Sequence, residues 1–275
     1  MLEKKGVKIA AISYDSAEVL AAFTQKYSIG YPLLSDKQSE VIRRFGIFNF
    51  NMAPELRAHG VPHPVEYLVS ADGVVVKKYF VPNYQHRVTA SAVALREFGE
   101  VNSDAPVVTL ESGALRVQIG FPSRRAFAGQ GVSFFARFTL QPGWHIYGLP
   151  LPEGYTATSI ELEGPAVIRQ EVKLPQPELL DFPALNEALP AYSGSFEIQG
   201  TLLLRFPLPE GELILPGRLR FQQCSASLCE PPQTITFELP LTLQPFVISD
   251  RDRELREQRS SPGRGTSPAD NQLLR

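Results

Sequence analysis

Apolar and polar positions follow two different rhythms along this chain, and the rhythm changes near residue 100. In the first part, Val7-Lys8-Ile9-Ala10-Ala11-Ile12-Ser13 is a short apolar run that predicts a buried strand. Asp15 or Ser16 then supplies an N-cap, Glu18 falls in the first turn, and Val19, Leu20, Phe23 and Tyr27 share one helical face. Tyr31 to Leu34 predicts a second short strand. Ser35 is the expected cap of a second helix, with Val41, Ile42 and Phe45 facing inward. Alternating residues on either side of Ala71-Asp72-Gly73 predict a hairpin of Val65 to Val69 with Val74 to Phe80. His86 to Phe98 closes the region as a helix carrying Val88, Val93, Ala94 and Leu95.

Beyond Pro106 the pattern is all strand. The expected strands are Val107 to Leu110, Leu115 to Gly120, Val132 to Leu140, Ser159 to Leu162, Ala166 to Glu171, Phe196 to Phe206, Gly217 to Gln223 and Gln233 to Leu239. Pro142-Gly143, Glu153-Gly154, Ser193-Gly194, Glu210-Gly211 and Pro216-Gly217 separate them with turns. Short strands at this spacing, without helical runs, predict an antiparallel β-sandwich.

Composition sharpens the boundary. Seven of the eight lysines lie in the first hundred residues, and 19 of the 24 prolines follow residue 100. The polar stretch from Gly99 to Pro106 reads as a linker. The expected organisation is therefore an α/β unit over 1–100, a sandwich over 106–246, and a charged, disordered tail over 249–275. A formal net charge of −2 gives no electrostatic reason to expect nucleic acid or an acidic membrane surface. No apolar stretch is long enough for a membrane-spanning helix. Two cysteines and four scattered histidines make no zinc cluster.

The order strand–helix–strand–helix–hairpin–helix, with its wording, resembles the later part of a thioredoxin-fold redoxin of the alkyl hydroperoxide reductase (AhpC/TSA) peroxiredoxin type. The residues carrying the likeness are Gly6 to Asp15, Tyr31-Pro32-Leu33-Leu34-Ser35-Asp36, Gly60-Val61-Pro62-His63-Pro64 leading into Val65 to Val69, and Ala71 to Val75. The resemblance implies that Pro64, just before the hairpin strand, is a cis proline and a binding residue beside the reactive cysteine. Family members place their first strand and cysteine helix ahead of the segment that opens here, and no cysteine precedes Cys224. An unpaired sheet centre is costly. The expectation is thus a redoxin unit that lacks its first strand and cysteine helix because the start is missing, the other reading being a degenerate module.

Two segments of the second half are more specific. Gly143-Trp144-His145-Ile146-Tyr147-Gly148 holds the only tryptophan, and Phe221-Gln222-Gln223-Cys224-Ser225-Ala226-Ser227-Leu228-Cys229-Glu230-Pro231-Pro232-Gln233 holds both cysteines. A disulfide needs Cα atoms about 4.4–6.8 Å apart, which so short a turn can close. Such a small ring adds little loop-closure entropy, so it is a poor staple and a plausible redox couple. Together the two segments resemble the N-terminal domain of the thiol:disulfide interchange (DsbD) family. The resemblance implies an immunoglobulin-like sandwich whose cysteines pass reducing equivalents from a membrane electron-donor domain to periplasmic thioredoxin-fold partners. It also implies that Cys229 forms the mixed disulfide and Cys224 resolves it. Family members cap the pair with an aromatic on a mobile loop. The matching region is Asn186 to Gly194, where Ala191 precedes Tyr192, and Phe182 or Tyr192 is the candidate cap. Tyr147 and Tyr155 are candidates to orient the sulfurs.

Plainer readings stand beside these. A cysteine pair in a secreted sandwich is often a structural bridge, which would make this a binding or scaffolding sandwich fused to a redoxin remnant. A third reading is a fragment of an active peroxiredoxin-type antioxidant enzyme. Trp144 is expected in the core, His145 on a strand, and His63 without a catalytic partner. No metal, flavin or nucleotide cofactor is implied. Met1-Leu2-Glu3-Lys4-Lys5 leads into a strand and not into a signal-peptide core. A periplasmic or extracytoplasmic location is expected from the sandwich family alone.

Overall fold

The computed structural model describes residues 2–51, 59, 61–80, 88–182 and 187–245. The expected tail over 249–275, the start of the His86 helix, and Asn186 lie outside these residues. A 3₁₀ turn at Leu2–Lys5 precedes β1 (Ala11–Ser13), α1 (Ala17–Tyr27), β2 (Leu33–Ser35), α2 (Glu40–Arg44), β3 (Val65–Val69), β4 (Val75–Phe80) and α3 (Ala90–Phe98). β1 and β2 pair in parallel, and β3 and β4 form the antiparallel hairpin that the Asp-Gly turn predicts. Gly73 takes φ +86°, which the turn requires and a side chain would resist.

Local chemistry moves several boundaries. Val7 to Ala10 find no ladder partner among the described residues, so the first strand shortens to its last three residues. Ser16 is the N-cap of α1, accepting from the Val19 N–H at 3.4 Å. Of its apolar face only Leu20 is buried, while Val19 and Phe23 stay open. Ser35 does not cap α2. Its hydroxyl donates to the Asp15 carbonyl at 2.6 Å, and the Asp36 carboxylate takes the Glu40 and Ile42 N–H groups at 2.9 and 2.8 Å. A carboxylate with two oxygens can serve two orphan amides at once, which a serine hydroxyl cannot. Ile42 is fully buried, whereas Val41 and Phe45 are exposed. The two cis X-Pro bonds among the described residues are Leu149–Pro150 and Phe206–Pro207. His63–Pro64 is therefore trans, contrary to the redoxin expectation. The trans form is the default, and the His63 N–H bonds to the Ile47 carbonyl at 2.7 Å in that arrangement.

The second half is all β. Its strands are β5 (Val107–Ser112), β6 (Leu115–Gly120), β7 (Arg125–Phe127), β8 (Gly131–Leu140), β9 (Trp144–Tyr147), β10 (Ser159–Leu162), β11 (Val167–Lys173), β12 (Glu178–Phe182), β13 (Glu187–Ser193), β14 (Ser195–Leu204), β15 (Gly211–Phe221), β16 (Gln223–Ser225) and β17 (Gln233–Gln244). A five-stranded sheet, β11-β14-β8-β6-β5, and a four-stranded sheet, β10-β15-β17-β7, make an immunoglobulin-like sandwich. Their inward residues share one core, with Val117, Ile119, Phe134, Phe138, Ile198 and Leu202 from the first sheet and Ile160, Leu215, Leu219, Leu239 and Leu241 from the second. The alternating burial of β15 and β17 is the period-two pattern that one wet face demands. The chain is thus an α/β thioredoxin-like part followed by an all-β sandwich. Arg96 of α3 touches that sandwich, donating to Thr201 Oγ1 at 3.1 Å, and Arg137 donates to the Gly99 carbonyl at 2.8 Å.

A third sheet, β12-β13-β9-β16, sits at one end. Three of its strands continue sandwich strands: β8 turns into β9 through Gly143, β13 runs into β14 through Gly194, and β15 passes into β16 after Phe221. The position of this sheet is consequently fixed by the sandwich itself.

Candidate functional site: the cysteine loop and its sheet

Cys224 lies in β16 and Cys229 closes the loop after it, and the two are joined by a disulfide with Cα atoms 4.1 Å apart. That separation lies just under the usual range. Backbone bonds hold the loop shut independently of the sulfurs: the Ser225 N–H reaches the Leu228 carbonyl at 2.7 Å, and the Glu230 N–H reaches the Gln223 carbonyl at 3.0 Å. Side chains add to this. Glu230 Oε2 accepts from Gln223 Nε2 at 2.6 Å and from Gln233 Nε2 at 2.7 Å, while Ser225 Oγ accepts the Leu228 N–H at 3.1 Å. Within this frame the two sulfurs differ. Cys224 is fully buried, and Cys229 is exposed.

Strand alternation decides which neighbours meet them. In β9, His145 and Tyr147 point to the same face, and the register sets His145 opposite Cys224 and Tyr147 opposite Ala191. The Tyr147 hydroxyl donates to Cys224 Sγ at 3.3 Å and lies 3.7 Å from Cys229 Sγ. Tyr147, Leu189, Ala191 and Cys224 form a small apolar cluster, against which Leu151, Tyr155, Leu180 and Phe182 pack. Tyr155 donates to Glu187 Oε2 at 2.7 Å. That hydrogen bond, with partial burial and the carboxylate charge, pushes the Tyr155 phenol up to about 12. Burial raises Tyr147 as well, with Glu187 adding to the effect, so both phenols remain protonated donors at neutral pH. Burial lowers His145, which leaves it neutral there.

The edge hairpin β12–β13 bends over this face. Phe182 pairs with Glu187, six residues along β13 from the Ser193 that faces His145. In a flat sheet that offset would separate them by about 20 Å. Yet the Phe182 ring lies 4.7 Å from the His145 ring and 6.4 Å from that of Tyr147.

The structure thus gathers Cys224, Cys229, Tyr147 and Phe182, with Tyr155 at their edge. It does not bring the other two expected binding residues to the pair. Tyr192 is one residue past Ala191 and so faces the opposite way, stacking on Phe196 at 4.5 Å and donating to the Pro175 carbonyl at 2.8 Å in the sandwich core. Most of the expected mobile loop is strand, because Glu187 to Ser193 pairs with β12 and β9. Pro64 belongs to the α/β half, just ahead of β3. Trp144 packs against the sandwich core as expected. Glu187 and the burial of His145 were not foreseen. The period-two spacing of His145 and Tyr147 was the only available signal, while Glu187 follows a segment with no clear pattern.

Two families account for these segments. Residues 1–78 match the AhpC/TSA family, and residues 120–241 match the family described as "Thiol:disulfide interchange protein DsbD, N-terminal". The chain joins an AhpC/TSA-like segment to a DsbD N-terminal-like domain. Peroxiredoxin Bcp of Escherichia coli K12 is 32% identical over 74 residues, which are 27% of this chain and 47% of that protein. A putative peroxiredoxin of Buchnera aphidicola subsp. Schizaphis graminum is 28% identical over 80 residues, 29% of this chain and 50% of that protein. The chain spans about half the length of the curated relatives it matches. Among solved structures, the N-terminal periplasmic domain of ScsB from Proteus mirabilis is similar at 18% identity, with TM-score 0.40, covering 56% of this chain and 58% of that one. The Neisseria meningitidis DsbD N-terminal domain, in its reduced form, is similar at 14% identity with TM-score 0.26, covering 51% of this chain and 90% of that one. The disulfide lies inside the segment that matches the DsbD N-terminal family. The AhpC/TSA-like segment holds no cysteine.

Proposed function

We propose that the chain is an extracytoplasmic thiol–disulfide exchange protein whose Cys224–Cys229 pair passes reducing equivalents to thioredoxin-fold partners. One observation carries the reading: an exposed cysteine is bonded to a fully buried one whose sulfur already accepts a phenol hydrogen bond. A partner thiolate reaches Cys229 Sγ, the bond breaks, and its electron pair leaves on Cys224 Sγ. The Tyr147 hydroxyl stands ready for that charge, which exchange rates reward because they rise with the stability of the leaving thiolate. In the other direction Cys229 attacks a client disulfide, and Cys224 then displaces the client. The redox partners are thioredoxin-fold proteins, with a membrane electron-donor domain as the source of electrons. A periplasmic setting suits the chemistry, since a persistent disulfide belongs to an oxidising compartment. The disulfide lies in the DsbD-type segment, which favours the relay over a peroxidase fragment.

Trapping tests the assignment. A Cys224→Ala variant incubated with an oxidised thioredoxin-fold protein is expected to accumulate a mixed disulfide through Cys229, seen on a non-reducing gel. A Cys229→Ala variant, left with the buried sulfur, is expected to give none. Equal trapping by both variants, or by neither, overturns the assignment. A potential well below about −300 mV would instead mark a structural bridge in a scaffolding sandwich.

A further inference from the structure

His145 stands in register with Cys224 on β16 and with Ser193 on β13. Opposed residues of an antiparallel pair keep their Cβ atoms about 4.5–5.5 Å apart on one face, so the His145 and Cys224 side chains leave neighbouring positions on the same face. The residue is 5% exposed. Phe182 from β12 covers its ring, and the Tyr147 ring meets it edge-on at 5.3 Å. Its Nε2 is buried and has no hydrogen-bond partner in this disulfide-bonded state. Native proteins seldom leave a buried nitrogen so, because its lost hydration is not repaid.

An open bridge changes the inventory of donors. A disulfide sulfur has no proton to give, whereas a cysteine thiol has one. We propose that His145 Nε2 is the acceptor for the Cys224 thiol formed when the bridge opens, so that His145 favours the reduced pair. The groups facing the ring are Tyr147 from its own strand, Ser193 from β13, Phe182 from β12 and Cys224 from β16. Among the described residues, the Glu187 carboxylate at the edge of the cluster is engaged by Tyr155. A neutral imidazole with its proton on Nδ1 is free to accept at Nε2.

The proton and electron count closes with a partner dithiol as reductant. Its thiolate attacks Cys229 Sγ, and the electron pair of the broken bond goes to Cys224. Its second sulfur then displaces Cys229 and completes the partner disulfide. Two electrons have moved, and the two protons shed by the partner thiols end on Cys224 and Cys229. The Cys224 S–H donates to His145 Nε2 while Tyr147 keeps its bond to the same sulfur.

The test is an equilibrium of the full chain with reduced and oxidised dithiothreitol, read as the alkylated thiol fraction, for the unaltered protein, His145→Phe and His145→Gln. One lost hydrogen bond of ordinary strength corresponds to about a fivefold shift toward the disulfide for His145→Phe. That fold-change converts to about 20 mV for a two-electron couple. His145→Gln, whose side-chain carbonyl can accept, is expected to remain within about twofold of the unaltered protein. The ¹⁵N resonance of Nε2 in the unaltered protein is expected to move on reduction, and that readout needs no variant to fold. An unshifted His145→Phe equilibrium, an equal shift in His145→Gln, or a ¹⁵N signal unchanged on reduction overturns the proposal. It rests on the exchange reading only for the partner. A pair that traps no thioredoxin-fold protein removes that reading and leaves this equilibrium measurable.

Discussion

Tyr147 is fully buried, yet its hydroxyl ends within reach of both sulfurs. Burial and the Glu187 charge keep the phenol protonated, and a protonated phenol can stabilise a thiolate where a deprotonated one would repel it. Tyr147→Phe preserves the ring packing and removes that donor. Reduction by dithiothreitol, followed by stopped flow, is expected to slow roughly tenfold, the scale of a hydrogen bond to a charged group. At this scale the sequence was legible wherever alternation decides facing. His145 and Tyr147 differ by two and share a face, and the short cysteine spacing places both sulfurs in one turn. Tyr192 was not legible. A slip of one position reverses a strand residue, and nothing in its neighbours reveals which of Ala191 and Tyr192 faces the pair.

The element that shapes the site is the β12–β13 hairpin, which brings Phe182 over His145 despite its distance in register. Phe182→Ala is expected to uncover that face and speed attack by a small thiol several-fold, since exchange depends on access. Measuring the alkylation rate of released thiols checks it, and an unchanged rate would show that the ring shields nothing. These strands escaped the sequence reading for a physical reason. Pro175, Pro177 and Pro190 interrupt the alternation, and a proline argues against a paired strand. Pro190 is tolerated because only its carbonyl is used, taking the Gly148 N–H at 2.8 Å. β15 and β17, by contrast, keep one face wet, and alternation predicts Gly217 to Phe221 of the one and Gln233 to Leu239 of the other. The turn expected at Pro216-Gly217 is nevertheless paired strand inside β15, and β17 runs on to Gln244. Ser35 was misjudged as a cap because Asp36 beside it serves two amides at once.

For the molecule as a whole, the main apolar core and the disulfide lie in different places. The sandwich core joins residues from both large sheets and owes nothing to the sulfurs, while Cys224 belongs to the smaller cluster under the end sheet. Closing so short a loop removes only about 2 kcal/mol of unfolded-state entropy. In a domain of this size, a Cys224→Ser, Cys229→Ser double variant is expected to lower Tm by about 4–8 °C. It should remain folded, with its far-UV circular dichroism unchanged. Loss of the sandwich on removing the pair would mean that the bridge is a structural staple after all. The division into an α/β part and a β part was visible in the proline and lysine distribution. The third sheet was not visible, because it is assembled from the ends of strands whose main pairings lie elsewhere.

The clamp on the cysteine loop bears on timing. Gln223, Glu230 and Gln233 hold the ends of the loop by bonds that do not pass through sulfur. When the disulfide is cut, Cys224 therefore stays close behind Cys229 without having to search for it. A nucleophile held in this way works at a high effective molarity, the entropic cost of the encounter having been met when the protein folded. The covalent complex with a partner should accordingly have a short dwell time. On the proposed exchange reading, release of a bound partner follows quickly on its capture.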